Sequence, residues 1–167
     1  MDHSTLALLE RIFATVFPLV AIVTVGFLYA RKKHTDMSAA NALNIDVFVP
    51  ALLFSVLSAK SFDLMRFQEL AIGGIIVVIG SGLIIWPVCK LLKVNPKTFL
   101  PPIMFNNSGN LGLPLAVLAF GEEALAAAVV LFLVENTLHF TVGLYILDKK
   151  TNPFQVLRMP IILASIL

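Results

Sequence analysis

The run NNSGNLGLP, residues 106–114, lies in the middle of an otherwise apolar segment, residues 99–120. Three Asn, one Ser, two Gly and one Pro are expensive in a continuous membrane helix, because lipid supplies no hydrogen-bond partners. Pro114 has no N–H to offer the carbonyl of Asn110, and it biases Leu113 away from helical torsions. Gly109 and Gly112 tolerate the torsions that a break requires. The reading is a helix interrupted at membrane depth, with the partly positive N-terminal end of its second half directed into the gap. The alternative is a proline-kinked helix whose polar side chains bond only to neighbouring helices.

The surroundings of this run make it a membrane feature. Of 167 residues, 59% are hydrophobic and only 13% charged, with a mean hydropathy of +0.94, whereas soluble domains are about 45–50% apolar and about 25% charged. A net charge of +2 leaves no electrostatic footprint for nucleic acid. The single cysteine, Cys89, falls in an apolar segment and reads as a small buried hydrophobe. The N-terminus lacks the basic start and cleavage site of a signal peptide, and the uncharged run 12–30 is long enough to span and stay.

Working outward, the spacing predicts an all-α, polytopic protein with five crossings and the start of a sixth. The first crossing covers 6–30 and ends at Arg31, Lys32, Lys33 and His34. The second, 37–59, carries Asn41, Asn44 and Asp46 in its first half and Pro50 in its middle, so that half must face protein or water. The third covers 70–92, where Gly73, Gly80 and Gly82 permit close helix contact and Trp86 suits an interfacial belt. The interrupted segment is the fourth. Gly121, Glu122 and Glu123 turn the chain into the fifth, 124–147, and an apolar segment at 159–167 opens a sixth. With the first loop inside, nine of the twelve basic residues lie on the cytoplasmic side, and Arg11, Lys60 and Arg66 outside, which places the N-terminus outside.

Glu135 is eleven residues into the fifth span, about 16 Å down its axis and near the midplane. His139 is one turn on and shares its face. Asn106 to Asn110 are about 10–17 Å into their own span, so the two polar groups meet at similar depth. An ionisable residue at bilayer centre is by default functional, and Glu135 with His139 could hold or relay a proton. The structural alternatives are a paired or protonated Glu135 and a His139 used for packing. Asp46 is either a pathway residue or part of a wetter helix start. Two ligands on one helix are too few for zinc, and no nucleophile with a base, no phosphate-cradling loop and no cofactor motif is present. The expectation is therefore not an enzyme.

Three stretches together, FVPALLF at 48–54, NNSGNLGLPLAVLAFGEEAL at 106–125 and TVGLYIL at 141–147, resemble the auxin efflux carrier family, which includes bacterial transporters of malonate and related acids. The resemblance covers nearly the whole chain and the first half of a typical member. It implies a ten-helix transporter of the cell (inner) membrane made of two inverted five-helix repeats, the broken fourth helix crossing its counterpart where a small organic anion binds. On that analogy Asn107 and Pro114 contact substrate, with Asn106, Ser108, Asn110 and Gly112 beside them. Residues 1–59 would belong to a scaffold that dimerises and 70–147 to a moving transport unit, within a single membrane domain. Because the second broken helix lies beyond residue 167, the expectation is a truncated sequence, or a half-transporter that pairs with another copy or a second half-repeat. The rival expectation from another class is a non-transporting membrane scaffold.

Overall fold

The computed structural model describes residues 3–33, 36–59 and 62–149, and these form helices joined by short turns, with no strand among them. The expected sixth segment, 159–167, and the basic residues Lys150 and Arg158 lie outside the described residues. Helix α1 (His3–Lys32) is a single rod with Arg31 and Lys32 in its last turn, where cations favour the carbonyl end of the helix. Helix α2 (Ser38–Leu57) follows. Asp63 caps a short 3₁₀ turn by accepting the Met65 N–H at 2.9 Å, and this turn leads into α3 (Gln68–Leu91). Asn95 then caps α4 (Pro96–Met104) through the Lys97 N–H at 3.0 Å, with Pro96 in the first turn, where a missing N–H costs nothing.

The chain breaks after Met104 and resumes as α5 (Leu113–Phe120). Gly121, at φ +85°, ends that helix in a conformation that disfavours any side chain, and α6 (Ala124–Leu147) begins three residues later. Helix α6 is the hub: it packs against α2, α3 and α5, and its end touches α4. Leu53, Leu113, Val129 and Phe132 join α2, α5 and α6 in one buried cluster. Val78, Cys89, Leu100, Met104 and Phe105 form a second between α3 and α4. The break lies between the two clusters.

Four described helices are long and apolar enough to cross a bilayer: 5–32 in α1, α2, α3 with its preceding turn, and α6. The expected fourth crossing is instead a nine-residue and an eight-residue helix in series. Two long-range bonds fix how the ends are grouped. Arg11 donates to the Ala119 carbonyl at 2.7 Å, so the start of α1 lies beside the end of α5. Lys97 donates to the Leu147 carbonyl at 2.8 Å, which brings the start of α4 to the end of α6. Each cation satisfies a carbonyl that its helix leaves open.

The third-span glycines divide in a way the sequence does not show. A Cβ on Gly82 would come within 2.6 Å of Met104 Sδ, and one on Gly74 within 3.1 Å of Leu131, whereas Gly73 and Gly80 have nothing within 4 Å. Close approach is thus used at Gly82 against α4 and at Gly74 against α6. Cys89 is buried, in the role expected of it.

Candidate functional site

The interruption is sharper, and slightly earlier, than the position of Pro114 predicts. Phe105 is extended at φ −117°, ψ 134°, and Asn107 stands at φ −87°, ψ 64°. Leu113, expected to be pushed out of the helical region, is helical at φ −60°, ψ −52°. Gly112 is helical too, so neither Gly112 nor Pro114 makes the break. The physical reason is a wider turn, Ser108–Gly112, in which Gly112 N–H reaches back five residues to the Asn107 carbonyl at 2.9 Å. That π-type register brings the chain into α5 with Pro114 in its first turn, where proline is tolerated.

The same device appears in α2, where the π turn Asn44–Phe48 ends two residues before Pro50. A third π turn, His139–Gly143, lies in α6 without a proline. There the hydroxyls of Thr137 and Thr141 bond back to the carbonyls of Leu133 and Thr137 at 2.7 and 2.5 Å, a pattern that loosens the helical ladder. Such turns are rare and concentrate at functional sites.

All three turns converge. Asn44 Nδ2 donates to Asn110 Oδ1 at 3.1 Å, joining the turn in α2 to the turn before α5. Residues of all three turns line one cavity of about 210 Å³, which takes its polar lining mainly from Asn44, Asn106, Asn107, Asn110 and Asn136, with Phe132 and Phe140 in its apolar part. Gly109 holds the broken segment against α6, since a Cβ there would stand 2.6 Å from the Phe132 ring. Asn136 is steadied by its own bond to the Phe132 carbonyl at 2.9 Å.

On the other side of residues 106–108 is a second cleft of about 560 Å³ between α3, α5 and α6. Its lining is small and apolar except for Asn106, Ser108 and two carboxylates, Glu69 and Glu135. Glu135, only 6% exposed, accepts the backbone N–H of Asn106 at the break. The unwound strand is therefore a septum with amides on one side and carboxylates on the other. The first-turn N–H groups of the half that follows have no intrahelical carbonyl to bond, and that end of a helix favours negative charge.

His139 points its chemistry elsewhere. Its ring stacks on Phe105 at 4.6 Å and on Phe140 at 5.2 Å, both nearly parallel, rather than bonding to Glu135. The two side chains that share one face of α6 thus grip successive residues of the break, His139 at Phe105 and Glu135 at Asn106. Gly143 leaves room for this stack, a Cβ there meeting Phe105 at 2.9 Å. Asp46 is exposed and lines neither cavity, and Pro114 lies outside both linings. Asn44, Asn136 and Glu69 line these cavities although the sequence singles out none of them as a site residue; Asn44 stands out there only as a carboxamide in an apolar span that must face protein or water. Among the described residues no three His, Cys, Asp or Glu side chains group as a metal site.

A helix broken inside an apolar segment, three π turns and an Asn-lined cavity are features that membrane transporters use and a simple anchor does not need. A family model described as membrane transport protein matches residues 11–164, and the chain belongs to that family of auxin-efflux-carrier-like membrane transporters, which are not enzymes. Neither the curated proteins nor the solved structures gave a match.

Proposed function

We propose that the chain forms part of a secondary transporter that moves small organic anions, of the malonate type, by alternating access. The observation that supports this most is the septum at Asn106, Asn107 and Ser108, where unwound backbone and five Asn residues line one cavity. A carboxylate entering it gains carboxamide and backbone N–H donors and the positive end of the turn that leads into α5. The complete site takes a second broken helix, from another copy or from a second inverted half-repeat in a ten-helix assembly. The N-terminus faces outside, and the membrane is the inner or plasma membrane.

Glu135 supplies the coupling in this reading. While ionised it repels an anion arriving on the other side of the septum, and protonation removes that repulsion, so anion and proton bind together. The other ionisable groups near it are Glu69, which reaches the same cleft from α3, and His139 one turn further along α6; the turn 108–112 and α5 contribute only Ser108, Gly112 and Ala116 to that cleft. Asp46 and His139 then act at the edge of the path and as a packing wedge.

Uptake of malonate by vesicles containing the protein tests the reading. Asn107→Ala should reduce uptake by at least tenfold, while Glu135→Gln keeps binding but flattens the rise of uptake with falling pH. Unchanged uptake in Asn107→Ala, once uptake is seen with both broken helices present, would falsify the carrier reading and leave the scaffold alternative standing.

A further inference from the structure

A third cavity, about 550 Å³, lies away from the break, between α3, α4 and the last turns of α6. Its interior is apolar, formed by Leu83, Leu100, Met104, Val142 and Ile146, and Gly82 lets Met104 form its floor. Its rim differs in kind. Lys97, Lys149 and Asn95 line it there, and among the described residues no acidic side chain does. Trp86 and Tyr145, each about half exposed, stand at the same level, with the Lys90 ammonium 4.8 Å from the Trp86 ring centroid. Aromatic rings of this kind settle at the headgroup level of a bilayer. Lys97 is pinned there by its 2.8 Å bond to the Leu147 carbonyl, which uses one of three ammonium donors and leaves two.

We infer that this cavity is a binding site for an anionic phospholipid, with an acyl chain between α3, α4 and α6 and the phosphate at Lys97 and Lys149. Charge decides the occupant. A zwitterionic lipid or an apolar helix of a second copy would fill the interior equally well, but neither brings a net negative group to a cationic rim. The ligand would also press on α4, the half-helix that ends at the break, through Met104.

Trp86 is the only tryptophan in the chain and lines the cavity, so it reports directly. The chain is placed in vesicles in which a small fraction of the lipid is brominated, as phosphatidylglycerol in one series and phosphatidylcholine in the other, and quenching of Trp86 is compared. Quenching should favour phosphatidylglycerol, on the order of fivefold in affinity for each lysine. Lys149→Gln should remove one such factor, Lys97→Gln with Lys149→Gln should bring the two lipids level, and Lys149→Arg should keep the preference. Lys149→Gln stands alone as an arm because Lys97 also holds the end of α6. Equal quenching by the two lipids, or a preference that survives in the double variant, overturns the inference. So does loss of the preference on adding millimolar inorganic phosphate, which marks a free-anion site, and so does protection from both lipids as protein density rises, which marks a second copy. The result is independent of malonate uptake.

Discussion

Helix α1 and the broken segment before α5 are both parts of a membrane protein, and they are built in opposite ways. Helix α1 is an uninterrupted 30-residue rod whose side chains are almost all exposed, Ile22 at 70%, and it is tied to the rest by packing against α5 and the Arg11 bond to Ala119. The broken segment holds a few helical turns, yet it is fastened by Glu135, Asn44, Phe132 and the His139 stack. In lipid, apolar exposure carries no penalty, so a long greasy rod needs few partners. Unpaired backbone does carry one, several kcal/mol per group, so the chain concentrates its specific contacts where the helix is open. Polar contact density therefore marks the site more clearly than burial does.

That contrast predicts a steep ranking of mutational effects. The largest belongs to Gly109→Val, whose added atoms meet the buried Phe132 ring; it should destabilise by about 3 kcal/mol in unfolding from detergent, and a smaller residue at Phe132 should recover part of it. Next is Glu135→Ala, which leaves the Asn106 N–H unpaired and should lose about 2 kcal/mol, whereas Glu135→Gln retains an acceptor and should lose less. Asn44→Ala removes the tie between two π turns and should lose about 1 kcal/mol, with the effect vanishing when Asn110 is already Ala. Ile22→Ala in α1 should stay within about 0.5 kcal/mol. A loss at Ile22 as large as that at Asn44 would break the comparison.

The smallest effect expected lies outside the spans. Asp36 accepts the Ser38 hydroxyl at 2.5 Å and the Ser38 N–H at 2.9 Å, and these bonds hold its carboxyl below its ordinary value of 3.8. A carboxyl lowered by folding stabilises the folded state above the unfolded pKa, and that contribution disappears as pH falls through the folded value. Asp36→Asn should remove this small acid-side slope from a titration of stability, with a slight loss at neutral pH that disappears in acid below pH 3.8.

Much of this was legible in residues alone. A hydropathy of +0.94 requires a membrane, and a cluster of Asn, Ser, Gly and Pro inside an apolar span requires an interruption. Glu135 and the Asn cluster could be matched in depth by counting 1.5 Å per residue. The exact place of the break could not be read, because Pro114 points to Leu113 while the π turn absorbs its missing N–H. Likewise the shared face of Glu135 and His139 left the imidazole as either a proton partner or a packing group, and its stacking on the rings of Phe105 and Phe140 takes the second course.

The sequence by itself determined that the chain lives in lipid, that its fourth segment is not one plain helix, and that a carboxylate sits about halfway along its fifth apolar segment, since each follows from local composition and rise per residue. Only the tertiary structure decided which groups answer one another. Asn44 and Asn110 are 66 positions apart, and Glu135 lies 29 beyond the N–H it accepts. Hydrogen bonds across such separations depend on how helices are rotated and register against each other, and that is set by packing at contacts such as Gly109 on Phe132, not by any periodicity along the chain.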